Sequence, residues 1–154
     1  MRRIEGDLIQ LALDGAFDVI VHGCNCFHAM NAGFAKPIAQ GFPEALEADK
    51  ANPYGDAGKL GTISTAEIRR GKAHFTIVNA YTQHHWRGDG RKVSYDAVDT
   101  CFRAIAAAFP EVRIGYPMIG AGLAGGDWLV IAPLIETALN GLDHSLVVLP
   151  STAA

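Results

Sequence analysis

The chain has 154 residues and no apolar run near the roughly 18 that a membrane-spanning helix needs, so no such span is expected. Cysteine is scarce: Cys24, Cys26 and Cys101 form an odd set, which argues against a disulfide framework. Cys24-Asn25-Cys26 is too closely spaced for a zinc knuckle and has no second pair, so no metal is expected. Positive charge is short too, with 13 Lys and Arg against 16 Asp and Glu and no basic stripe. A nucleic-acid backbone is therefore not an expected partner. There is no Gly-Lys-Ser/Thr and no dinucleotide fingerprint with its downstream acid, which excludes the common nucleotide loops, and no cofactor is expected. Residues 1–7 turn acidic where a signal peptide would need an apolar core, so the expected location is cytoplasmic. Neither a repeat nor a linker interrupts the sequence, and one domain over 1–154, as a monomer, is the expectation.

What the chain has is apolar residues, 49% of the total, arranged in short alternating segments. Residues 4–7 read as a strand end, and Asp7 as the N-cap of a helix over 8–13. The β-branched run 17–22 predicts a buried central strand. Helices are expected over 33–40 and 43–50, and a hairpin from strands 60–66 and 73–80. Residues 81–93 read as a long loop, followed by a Ser94-capped helix to Phe109 and a strand at 112–117. A single turn at 127–130, a separate helix over 132–139 with Pro133 in its first turn, and a strand at 145–149 complete the pattern. Such alternation predicts a three-layer α/β/α domain with a central mixed, largely parallel sheet. Sheets of that kind take ligands outside the carboxyl ends of their strands.

Two loops leave such ends. The first, 21–38, combines His22, Cys24, Asn25, Cys26, His28 and Asn31 with small residues; the second, 118–128, contains Gly120-Ala121-Gly122 and Gly125-Gly126. Consecutive backbone amides in small-residue loops make an anion site without net positive charge. His28, an imidazole, suits either proton transfer or a plain loop position. His22, at a strand end, suits a half-buried structural role, and the cysteines suit small buried hydrophobes.

Three places carry a family resemblance: Gly6-Asp7-Leu8, the run from His22 to Phe27 with Met30 to Ala35, and Tyr116 to Leu123 with Gly125 to Trp128. In these the chain resembles macro domains, which bind ADP-ribose, and looks closest to the ADP-ribose 1''-phosphate phosphatases of yeast and phage type. The resemblance implies that Asp7 and the Leu8 amide face adenine. It implies that amides around Gly33, Phe34 and Ala35, and of Ile119, Gly120, Ala121, Gly122 and Leu123, hold the diphosphate and distal ribose. Asn31 also falls in this ligand set. Asn25 would contact the distal ribose or only brace its loop. Tyr81 would pack, and could also wall the ribose pocket. Asp127 would orient water or only cap a turn. The implied activity is hydrolysis of ADP-ribose 1''-phosphate, with Asn25, His28 and Asp127 as catalytic candidates. The alternatives are a non-catalytic ADP-ribose reader and a hydrolase freeing ADP-ribose from a protein or nucleic acid. Two departures stand out. Asn31 replaces a common glycine, and Phe34 is larger than the usual Ile or Val. The lysine and aspartate of related glycohydrolases correspond to about Ala80-Tyr81 and Ala124, so that mechanism does not carry over.

Overall fold

The computed structural model describes residues 1–87 and 90–150. In chain order the elements are β1 (Arg2–Glu5), α1 (Leu8–Leu13), β2 (Val19–Cys24), α2 (Ala35–Gly41), α3 (Pro43–Lys50), a 3₁₀ turn (Ala57–Lys59), β3 (Ile63–Arg70), β4 (Ala73–Tyr81), α4 (Tyr95–Ala108), β5 (Arg113–Tyr116), α5 (Trp128–Ala138) and β6 (Asp143–Val148). One six-stranded sheet runs in the order β1-β6-β5-β2-β4-β3. Every pairing is parallel except the β3–β4 hairpin.

Both faces of the sheet are covered, which is why its central strands are apolar at consecutive positions. Along β2, Val19 and Val21 enter the core under α4 and α5, while Ile20 enters the one under α1, α2 and α3. On β4, Val78 and Ala80 face the first core and Phe75 and Ile77 the second. The α4 residues Val98, Cys101, Phe102 and Ile105 recur at helical spacing on its buried face. Its start is fixed by Ser94, whose hydroxyl accepts from the Ala97 N–H at 3.1 Å. None of the described helices is long and apolar enough to cross a membrane.

The three-layer expectation holds, with corrections at the element level. Trp128–Ala138 is one helix rather than a turn and a second helix, with Pro133 inside it. Pro133 cannot donate to the carbonyl of Leu129, but Leu129 is 82% exposed, so water can take that bond. At the N-terminus, β1 is a full strand paired with β6 from Arg2↔Ser145 to Glu5↔Val148, which periodicity within four residues could not show. In the hairpin, β3 extends to Arg70 and β4 starts at Ala73, leaving Gly71-Lys72 as the turn.

For the site, the essential point is the place of β2. It lies between β5 and β4, parallel to both. From β2 the chain passes through α2 and α3 to the β3–β4 side, and it later returns through α4 to β5 on the other side. That reversal opens a crevice at the carboxyl ends of these strands.

Candidate functional site

A cleft of about 550 Å³ occupies this crevice. The loop after β2 contributes Asn25, Asn31 and Gly33-Phe34-Ala35; the loop after β5 contributes Met118-Ile119-Gly120 and Gly122-Leu123-Ala124; Thr82, Gln83, Trp86 and Lys92 come from beyond β4. The two loops meet across it. Gly33 has φ +58, and a Cβ there would stand 3.3 Å from Leu123 Cδ1. Close approach at the floor also requires Gly23, whose Cβ would lie 2.9 Å from Thr82 Oγ1.

The second loop is rigid by construction. The Gly126 N–H donates to Gly120 O at 2.7 Å, Ala121 N–H to Met118 O at 3.2 Å, and Gly125 N–H to Gly122 O at 3.0 Å. These bonds consume the flanking amides and leave those of Gly122, Leu123 and Ala124 without a backbone acceptor among the described residues. The amides of Gly33, Phe34 and Ala35 in the first loop are likewise unengaged. Backbone N–H groups seldom stay unpaired unless water or a ligand takes them, and consecutive ones suit an anion.

Of the residues expected at the site, the cleft brings together Asn25, Asn31, Gly33, Phe34, Ala35, Ile119, Gly120, Gly122 and Leu123. Asn25 is 7% exposed, and its Oδ1 accepts from the Phe27 and Ala29 amides at 2.9 and 3.4 Å while its Nδ2 donates to Ala29 O at 2.9 Å. It braces its own loop and retains one Nδ2 hydrogen for the cleft. The left-handed backbone in this loop belongs to His28, at φ +56, and to Gly33, not to Asn31. Phe34 is half-buried against the α1–α3 core, with its ring 6.5 Å from that of His22.

The others lie elsewhere. His28 does not line the cleft; its Nε2 engages Asn52 O at 2.7 Å, and its ring meets Tyr54 edge-on at 5.4 Å. Asp127 is exposed outside the cleft and caps α5, accepting from the Leu129 N–H at 2.9 Å. Asp7 caps α1 through the Ile9 and Gln10 amides at 3.0 and 3.1 Å, and Leu8 is buried in the α1–α3 core. Ala121 packs against the α4–α5 core. Tyr81 is 1% exposed and absent from the cleft wall. Its hydroxyl donates to Asp49 Oδ1 at 2.7 Å and lies 2.9 Å from Ser64 Oγ, which satisfies it inside the domain. Burial pushes the Cys24 thiol well above its ordinary range and raises Cys26; it carries Cys101 up to about 12. These thiols stay protonated and are not nucleophiles at neutral pH.

Sequence reading missed a buried polar chain beside the cleft. His22 Nε2 sits 2.6 Å from Asn79 Oδ1, Asn79 Nδ2 donates to Ser64 Oγ at 3.1 Å, and Ser64 Oγ lies against the Tyr81 hydroxyl, which donates to Asp49. Lys59 closes the chain, with Nζ 3.8 Å from Asp49 Oδ1 and 4.4 Å from the centroid of the Tyr81 ring. Asp49 is 1% exposed and Lys59 5%. Nothing in a helix end and a Gly-rich loop marks two charges for burial, because the elements that cover them are far apart in sequence. Thr82, Gln83, Trp86 and Lys92 were also missed, lying in a stretch that reads only as a polar loop.

No protein-family model matches the chain. It is 36% identical over 155 residues to an uncharacterized 17.5 kDa protein from the tk-vs intergenic region of Enterobacteria phage T4, covering 96% of this chain and 95% of that protein. The solved macrodomain of Thermus aquaticus DarG superposes with a TM-score of 0.75 over 97% of each chain, at 24% identity. This chain belongs to the phage protein's family and has the macrodomain fold. The solved structure of Thermosipho africanus DarTG in complex with ADP-ribose gives a TM-score of 0.67 at 16% identity, over 93% of this chain and 41% of that one. The macrodomain sheet accounts for the crevice, and its loop sequences decide what the crevice holds.

Proposed function

We propose that this macrodomain binds ADP-ribose or a derivative of it. The observation that carries the reading is the pair of unengaged amide runs, 33–35 and 122–124, on opposite walls of one cleft. A diphosphate offers two anionic groups in tandem, and each run is suited to one of them. The weakly polar cleft and the ADP-ribose held by the DarTG structure support the same ligand class.

Hydrolysis of ADP-ribose 1''-phosphate is the turnover that fits this arrangement. A water oxygen would bond to phosphorus as the bond from phosphorus to the ribose oxygen breaks. That oxygen would take a proton, yielding ADP-ribose and phosphate. Among the described residues, the titratable side chains lining the cleft are Cys24 and Lys92, whereas His28 and Asp127 stand outside it. Proton transfer would therefore run through water or Lys92 unless His28 leaves Asn52.

Titration calorimetry with ADP-ribose tests the binding, and heat absent at millimolar ligand would overturn it. Phosphate release from ADP-ribose 1''-phosphate tests turnover. Release undiminished in His28→Ala removes His28 from the mechanism, and binding without release makes the protein a reader.

A further inference from the structure

Both walls of the cleft are fastened to one piece of backbone. The chain leaves β4 through residues 82–84 and enters α4 through 92–95, and an antiparallel β-bridge between Gln83 and Val93 joins these two stems. The first stem holds the root of the loop after β2. The Thr82 and Gln83 N–H groups share Cys24 O at 3.2 and 3.3 Å, and the Cys26 N–H donates to His84 O at 3.0 Å. The second stem holds the loop after β5. The Lys92 and Val93 N–H groups share Ala124 O at 2.7 and 3.2 Å, and the Tyr95 hydroxyl accepts from the Asp127 N–H at 3.1 Å. One rung, about 5 Å wide, therefore links the two loops that carry the unengaged amides.

Val93 is the side chain on that rung that faces the second loop. It is 2% exposed and does not line the cleft. A Cβ on Gly126 would stand 2.6 Å from Val93 Cγ1, and one on Gly120 2.7 Å from Val93 Cγ2, so the backbone of both glycines lies against its methyl groups. The Gly126 N–H donates to Gly120 O, and both ends of that bond thus rest on one valine. Close-packed interiors transmit a change of volume, and a deleted methyl group leaves space into which neighbours relax. The backbone bonds fix the register of the rung, and the valine fixes how far the second loop stands from it.

We infer that Val93 is a positioning residue: it sets the spacing between the amide runs 33–35 and 122–124, and with it the length of phosphate chain that the cleft accepts. The inference rests on the ADP-ribose reading, in which each run takes one phosphate of a diphosphate. Covalent bonds fix the distance between those phosphates, so a wall displaced by about 1 Å loses its alignment with one of them. A second loop free to shift takes a longer chain as readily as a diphosphate.

The test is calorimetric affinity for two probes with the same adenosine and ribose ends, ADP-ribose and its homologue with three phosphates in the bridge. Wild type favours ADP-ribose by ~10-fold or more. In Val93→Ala the preference shrinks to within about threefold, whereas Val93→Thr, which keeps the branched shape, retains it. Ile135→Ala, in the same core but further along α5, lowers Tm and leaves the preference as it was. Tyr95→Phe removes only the acceptor for the Asp127 N–H and shifts the preference in the same direction as Val93→Ala; if Val93→Ala does not fold, Tyr95→Phe decides by the same readings. Equal losses for both probes in Val93→Ala make the residue merely structural and overturn the inference, as does an unchanged preference there or a wild type that does not favour ADP-ribose. Failure of wild type to bind either probe overturns the ADP-ribose reading instead.

Discussion

Gly120 shows how a single position holds the site. Its φ is +78, and a Cβ on it would stand 2.7 Å from Val93 Cγ2, well inside contact distance. Gly120→Ala is expected to destabilise the fold by ~1–3 kcal/mol and to weaken ADP-ribose binding together with it, read by urea denaturation and calorimetry. His22 carries a different signal. Burial is the main cause that pushes its imidazole down to about 4; hydrogen bonding to Asn79 and the Asp49 charge oppose it to a lesser extent. The unfolded chain takes up a proton there near pH 6.5 and the folded chain does not. Stability from this residue is thus complete above about pH 6.5 and falls by up to ~3 kcal/mol as pH drops toward 4. In denaturant midpoints measured across that range, His22→Asn should flatten the slope; a slope as steep as wild type would show that other groups carry it. At this scale the sequence was legible where backbone chemistry speaks, as in the glycine turns and the Asp7 cap. It was misleading for side chains. His28 looked reactive by type, yet its ring is committed to Asn52, a partner no local pattern reveals.

The first loop is an element anchored from below. His28 bonds to Asn52 O, and Asn52 Nδ2 donates to Tyr81 OH at 3.3 Å. Tyr81 reaches Asp49, and Lys59 faces Asp49. Asp49 Oδ2 and Lys59 Nζ have no hydrogen-bond partner, so the pair rests on mutual charge and on the Tyr81 ring. Removing one member leaves a buried charge alone. Lys59→Met should cost ~3–5 kcal/mol in urea denaturation, and adding Asp49→Leu should recover much of the loss. A double variant no better than the single would show that the pair is not coupled. A milder change at the loop itself, Asn25→Ala, removes the brace on the Phe27 and Ala29 amides. It should lower ADP-ribose affinity ~10-fold with a stability cost of ~1 kcal/mol; unchanged affinity would mean that the loop holds its shape without the brace. Elements with strong local patterns, such as β2, α3 and α4, were readable in advance. Those set by distant partners were not: β1 needs β6 to be a strand.

For the molecule as a whole, a ligand that binds only the folded state should stabilise it in proportion to its occupancy. At a hundredfold excess of ADP-ribose over Kd, the gain is ~2.7 kcal/mol, or a rise in Tm of roughly 5–10 °C for a domain of this size. A scan showing no shift at that excess would contradict a site built from the two loops. The fold was visible because the loop motifs repeat a whole architecture in order. The chemistry was not, because it depends on which side chains end up lining one crevice. The same architecture has a consequence for how the chain assembles. Within this domain β1 precedes every other strand and its partner β6 follows them all, with Arg2 paired to Ser145. On the ribosome, β1 must wait without a mate while the rest of the sheet forms. Contacts this distant in sequence are entropically slow to close, so β1 should be among the last strands to become protected from hydrogen exchange during folding.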